Sequence, residues 1–257
     1  MVLNDMSTEV IASESAATVH RSVSEPPPVG QDATVPSAVA TLPDRIRQAI
    51  AAAHVAVEAT PLAQAMSRGT VSVSEYVALL QELHHWHRSL ESCLSAASDC
   101  ELVRLVYRPE TMNRTAILVS DLSAFRVQPS ERPGPVVEQM IAELTTWQAR
   151  KPWALLGALY VMEGSRMGSM LLVRSLSQAF SLSNAAAVGL DYHRQDMANR
   201  PQAWKQFRQE LAELSLSPVQ QDDVIQAAVV TMQGLVQLYA SLLVSAANNP
   251  TVTANSD

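Results

Sequence analysis

Apolar residues recur every three or four positions through most of this chain, the period of a helix with one buried face. "PDRIRQAIAAAHVAVEA" opens at Pro43 with a proline in the first turn, where a missing N–H is tolerated. Arg68 and Gly69 mark a stop. "SVSE" at 72–75 has capping-box spacing, and behind it Leu79, Leu83, Trp86, Leu90 and Leu94 form an apolar stripe. Further helices are predicted at 99–107, 112–125, 135–149, 153–180, 201–214 and 218–247. "SPVQ" at 217–220 is a second capping box with proline at the first helical position. Strand alternation and internal repeats are absent from the pattern. It predicts a single all-α, multi-helical domain over 41–248. Residues 1–40 are rich in Ser, Thr, Pro and acids without a sustained apolar period, and read as a disordered tail. Residues 249–257 read as a short flexible C-terminus.

Composition narrows the function classes. The 257 residues carry a net charge of −7, which argues against a nucleic-acid partner, because phosphate binding needs a basic face. Cys93 and Cys100 make neither a disulfide framework nor a zinc set. Their spacing of seven allows one shared helical face, and both read as idle thiols of a reducing compartment. Unbroken apolar runs fall short of the roughly 20 residues of a membrane span. The N-terminus has no basic stretch ahead of an apolar core, so a cytoplasmic protein without a membrane partner is expected.

Two constellations carry candidate chemistry. "AAAHVAVEAT" places His54 and Glu58 at i and i+4 on one helical face, among the small residues Ala51, Ala52, Ala53 and Ala56. A flat, bulky ligand can lie against such a surface. Arg45 and Arg47 precede this pair, and Arg47, seven residues before His54, shares its face. The second constellation is "GALYVMEGSRMGSMLLVRSL" at 157–176, which reads as one helix despite Gly157, Gly164 and Gly168. Each helical glycine costs about 1 kcal/mol relative to alanine. Gly164 and Gly168 at i and i+4 bare one helix face to backbone, with Ser165 and Ser169 beside them.

Other polar residues read as background. Glu82 and His85 form an E-x-x-H pair, the unit of di-iron helical bundles, but a second pair is missing. His84, His85 and His87 read as a polar flank beside the leucine stripe, and His20 and His193 as solvated. There is no G-x-S-x-G, P-loop or dinucleotide fingerprint, hence no intrinsic nucleotide site.

"HVAVE", "LLQELHHWHRSLE", "SDLSAF", "PQAWKQFRQEL" and above all "WALLGALYVMEGSRMGSMLL" resemble the bacterial haem oxygenases, most nearly the bacteriophytochrome-associated, biliverdin-producing branch. The resemblance covers about 42–245. It implies a haem oxygenase-like fold with haem b held between two helices. His54 falls on the axial ligand of the haem iron and Glu58 on its hydrogen-bonding neighbour. Gly164 and Gly168 fall on the distal helix, and Arg47, Lys205 and, more loosely, Arg208 on positions that hold haem propionates. Two positions depart from the family pattern. Ser169 stands where a second adjacent glycine is usual, and its hydroxymethyl group can crowd the haem edge or bond ligand or water. Ser165 stands where animal-type relatives carry an acid. The implied reaction opens haem to biliverdin, CO and ferrous iron, with O2 and electrons from a partner such as a ferredoxin or a flavin reductase. A bacteriophytochrome is the implied recipient of biliverdin. The alternatives are a haem or bilin carrier or sensor of the same fold, motivated by Ser169, and a non-haem iron oxidase built on Glu82 and His85.

Overall fold

The computed structural model describes residues 40–180 and 189–247, with side chains through 242. The tail expected over 1–40, with His20, lies outside these residues apart from Ala40, and so does the expected C-terminal stretch over 249–257. Among the described residues there are helices and no strands. In chain order they are α1 (Leu42–Glu58), α2 (Pro61–Arg68), α3 (Val73–Ala96), α4 (Glu101–Val106), α5 (Pro109–Met112) and α6 (Thr115–Ala124). They continue as α7 (Pro135–Arg150), α8 (Leu155–Ser169), α9 (Leu172–Ala179), α10 (Asp191–Arg194), α11 (Arg200–Glu213) and α12 (Pro218–Ala247), with a 3-10 turn at Pro152–Ala154.

Local chemistry sets several helix ends. The Thr41 hydroxyl accepts the Asp44 amide at 3.4 Å at the start of α1. Gly69 ends α2 with φ 69°, a left-handed conformation that glycine adopts without penalty. Both capping boxes form. Ser72 and Glu75 bond each other's amides at 3.2 and 2.7 Å, and Ser217 and Gln220 do so at 3.3 and 2.9 Å. The start of α7 is capped from afar, because Gly134 has no side chain. Both carboxylate oxygens of Glu82, on α3, accept its amide at 3.0 and 3.1 Å.

Around α12 pack α1, α2, α3, α7 and α8. Serving as the helix that the others pack against, α12 is apolar along its length: Pro218–Leu242 has the length and composition of a membrane span, with 44% of the apolar window buried inside the fold. That corrects the expectation of no such segment. Gln and Ser interrupt the apolar run without lowering its mean hydropathy below that of a span. The leucine stripe of α3 is buried as expected. His84, His85 and His87 are buried too, which corrects their reading as a flank. The reason is that α6, α7, α8 and α12 pack around α3 and cover these three positions, leaving Arg88 as the exposed residue of that turn. His193, expected in solvent, is buried on α10 and has no hydrogen-bond partner on either ring nitrogen among the described residues. Cys93 and Cys100 do not share a helical face, since α3 ends at Ala96. Both are half-buried free thiols.

The helix expected over 153–180 is interrupted. After Ser169 the chain makes a turn and resumes as α9. This break, and the way α1 and α8 meet α12, shape the cleft described next.

Candidate active site

The helices α1 and α8 both pack along α12 but scarcely touch each other. They are pinned at one end, where the Tyr160 hydroxyl donates to the Pro43 carbonyl at 3.2 Å. One end of the intervening cleft is closed by α11, which contacts both helices, and α2 and α9 pack together at the other. Close approach of α8 to α12 depends on Gly157. A Cβ there would stand 2.1 Å from the Val224 carbonyl oxygen and 2.7 Å from the Ala228 nitrogen. This glycine therefore serves packing, whereas the other two lie farther along α8.

On the α1 wall, His54 and Glu58 are about half exposed, with Nδ1 3.6 Å from the Glu58 Oε1. Among the described residues the other ring nitrogen has no protein partner, and Ala51, Ala52, Val55 and Ala56 around it are exposed. On the α8 wall the two glycines differ. Gly164 is covered by the Trp204 ring of α11, 3.2 Å from where a Cβ would be, whereas a Cβ at Gly168 would meet nothing within 4 Å. The bare face is thus open backbone at Gly168 and indole-covered backbone at Gly164. The Ser165 hydroxyl donates to the Met162 carbonyl at 2.8 Å and the Ser169 hydroxyl to the Arg166 carbonyl at 3.0 Å. Having donated their protons to their own helix, both can only accept from a water or ligand.

Basic residues gather at the pinned end. A recess of about 360 Å³ is lined by Thr41, Pro43, Asp44, Trp204, Lys205 and Arg208 among others. Arg208 pairs with Asp44 at 2.9 Å. The Thr41 hydroxyl holds the Asp44 carboxyl below its ordinary range, and Arg208 and Arg47 add to the effect. Burial raises the Tyr160 hydroxyl pKa, opposed by the same two arginines. Lys205 and Arg47 are exposed and form no ion pair among the described residues. Arg47 lies seven residues before His54, about 10 Å along the axis. Arg45 points elsewhere, to Gln221 at 2.7 Å and Asp222 at 2.8 Å on α12.

Behind α8 lies a buried polar cluster. Glu163 pairs with Arg166 at 2.8 Å and stands 3.8 Å from Arg114, which heads α6. Glu91 of α3 accepts the Arg114 and Thr115 amides at 2.5 and 3.0 Å. The His87 ring nitrogen meets the Tyr192 hydroxyl at 3.0 Å, and burial, with Arg114 and Arg166, drives the His87 pKa down to about 3. This cluster fastens the segment bearing Gly164 to α3 and α6. The Glu163–Arg166 and His87–Glu91 pairs follow from helical spacing, and nothing in the sequence announced Arg114 or Tyr192 as their neighbours.

Residues 40–238 match the profile of the family described as "Heme oxygenase". The chain belongs to the haem oxygenase family. A haem oxygenase of the fish Takifugu rubripes is 24% identical over 207 residues, 78% of this chain and 74% of the relative. The structure of haem oxygenase-2 from Synechocystis in complex with haem and NO superposes with a TM-score of 0.73 at 23% identity, covering 80% of this chain and 88% of that one. Haem oxygenase from Leptospira interrogans gives 0.71 at 17%, covering 78% and 98%. These likenesses show the haem oxygenase fold.

The cleft fits the haem that the family implies. It offers an exposed imidazole nitrogen backed by a carboxylate, open backbone at Gly168, and cations near one end. Metal chemistry at Glu82 and His85 does not fit. The Glu82 oxygens cap α7, and the His85 ring nitrogen meets the Ser130 hydroxyl at 2.9 Å. Among the described residues no group of three or more His, Cys, Asp or Glu could hold a metal ion.

Proposed function

We propose that this chain binds haem b through His54 and opens it oxidatively to biliverdin, CO and ferrous iron. The observation that carries the reading is the cleft itself: one wall offers an exposed imidazole with Glu58 3.6 Å from its Nδ1, the other a helix stripped to backbone at Gly168. The bound haem supplies the iron that activates O2 and is also the molecule cleaved. The protein has no need of a strong acid or base for this chemistry; it has to bind, orient and exclude.

Each residue then has a definite task. The free nitrogen of His54 would hold the iron, and Glu58, 3.6 Å from Nδ1, would favour the tautomer that keeps its proton on Nδ1 and raise the basicity of the other nitrogen. Arg47 and Lys205 hold the propionates, and Arg208 shares its charge between a propionate and Asp44. Gly168 would leave open space for haem and O2 beside α8, and Gly164 lets Trp204 seat against α8. The hydroxyls of Ser165 and Ser169 accept hydrogen bonds from water on the distal side. Electrons come from a separate ferredoxin or flavin reductase. A bacteriophytochrome as recipient of biliverdin rests on the resemblance to that bacterial branch.

The test is a hemin titration followed, on the same sample, by ascorbate in air. A stoichiometric Soret band that decays as a biliverdin band grows is the expected result. A Soret band that persists indicates a carrier or sensor, and no Soret band refutes haem binding. His54→Ala should lose the normal axial-ligand spectrum; an unaltered spectrum would refute His54 as the ligand.

A further inference from the structure

The interruption after Ser169 has a local chemical cause. In an unbroken helix the Arg166 carbonyl accepts the amide of Met170. Here it accepts Nη1–H of Arg200 at 2.7 Å and the Ser169 hydroxyl at 3.0 Å, so both lone pairs are engaged. The next amide, Leu171, bonds the Gly168 carbonyl at 3.2 Å in place of its helical partner Met167, a 3-10 turn that follows directly on this site. A side chain inserted into the backbone ladder is a recognised cause of helix breaks. Met170 and Leu171 nevertheless keep helical dihedrals, at φ −55°, ψ −33° and φ −74°, ψ −20°. The segment is therefore close to continuous helix.

Arg200 is suited to holding that break. It is 2% exposed, yet its partners are all neutral oxygens. Besides Arg166, Nη1 donates to the Ser169 hydroxyl at 3.3 Å. Nη2 donates to the carbonyls of His193 at 2.8 Å and Gln195 at 2.7 Å, and Nε to that of Gln195 at 3.2 Å. The five N–H donors thus tie the end of α8 to the chain leaving α10, a fork that lysine cannot reproduce. Burial, with Arg166 and Arg114 nearby, lowers the Arg200 pKa to about 10, so it is charged at neutral pH.

We propose that Arg200 and Ser169 form a positioning pair that interrupts the distal helix at Met170 and so sets where the open backbone of Gly168 stands in the cleft. The interruption is a property of the protein alone; its consequence for haem rests on the function proposed above. The test measures amide hydrogen exchange in haem-free Ser169→Ala and Arg200→Lys. Each change frees acceptor capacity on the Arg166 carbonyl, so the Met170 amide gains a helical bond. Its exchange should slow, by up to roughly fivefold where the whole bond is recovered. A mere strut predicts the reverse, faster exchange along the α8–α9 junction once it is weakened. Unchanged or faster exchange at Met170 in folded Ser169→Ala overturns the proposal, even if Arg200→Lys fails to fold.

With hemin loaded, both variants should shift the ligand-field bands and spread the biliverdin isomers. If wild-type protein fails to bind hemin, the function falls while the exchange result still decides the pair. If wild type turns haem over and both variants keep its spectrum and isomer ratio, the pair does not position the distal wall.

Discussion

Exchanging glycine for alanine at two points of α8 should give opposite results. At Gly157 the added methyl would lie 2.1 Å from the Val224 carbonyl oxygen and 2.7 Å from the Ala228 nitrogen, both backbone atoms of α12. Neither can swing aside, so the helices must part by about 1 Å. Overpacking of this kind costs about 1–3 kcal/mol, with more at backbone contacts, and the gain in helix propensity returns at most about 1 kcal/mol. A net loss near 2 kcal/mol lowers the melting temperature by roughly 4–8 °C in a domain of this size. At Gly168 nothing lies within 4 Å of the new methyl. Gly168→Ala should leave the melting temperature unchanged or raise it by up to about 4 °C. The same methyl protrudes into the cleft where haem is proposed to lie, and hemin affinity should fall by about tenfold or more, the equivalent of about 1.4 kcal/mol of steric cost. Differential scanning calorimetry of the haem-free variants and hemin titration of each check the pair. A stable Gly157→Ala variant would refute the close approach of α8 to α12. Gly168→Ala with wild-type hemin affinity and spectrum would refute Gly168 as the wall of the ligand site.

The remaining predictions concern acid stability and the basic residues. Burial drives the pKa of both His87 and His193 down to about 3, so below about pH 6.5 the unfolded chain binds more protons than the folded one and stability is lost as the pH falls. Between pH 7 and 5 the two groups together remove about 4 kcal/mol. Burial acts oppositely on Asp121, whose pKa rises to about 6, so its protonation returns about 1 kcal/mol over the same interval. Urea denaturation should therefore give lower stability at pH 5 than at pH 7, and a flat or rising profile contradicts the burial argument. Arg45→Ala breaks an exposed pair with Asp222 and should cost less than about 1 kcal/mol without changing hemin affinity. Arg47→Ala should do the reverse, weakening hemin binding by roughly three- to tenfold at unchanged stability. Equal hemin affinities for these two variants would remove Arg47 from the site. Glu82→Ala uncaps α7 and should cost about 1 kcal/mol in thermal unfolding while leaving any bound iron unaffected. Loss of iron in that variant would reopen a metal role for Glu82.

The sequence by itself determined the elements whose physics is local. Spacing of apolar residues marked the helices, and Ser72 with Glu75, Ser217 with Gln220, and Gly69 marked their ends, because caps and turns act over three or four residues. The i, i+4 placement of His54 and Glu58 was legible for the same reason, since one helical turn brings them together whatever else the chain does. Tertiary structure alone decided what each face meets. Arg45 and Arg47 are two residues apart in one helix, yet one is tied to α12 and the other is exposed at the end of the cleft. Three glycines that look alike in sequence face α12, the Trp204 indole and open space. In sequence Glu82 reads as part of a polar flank, with a metal role only as an alternative, and only the arrival of α7 with Gly134 shows that it caps a helix. The polar histidines of α3 are buried because helices from distant parts of the chain enclose them. The helix that seemed continuous to residue 180 breaks because Arg200, 31 residues after Ser169, reaches back to the Arg166 carbonyl. Such outcomes depend on long-range contacts, and no local periodicity encodes them.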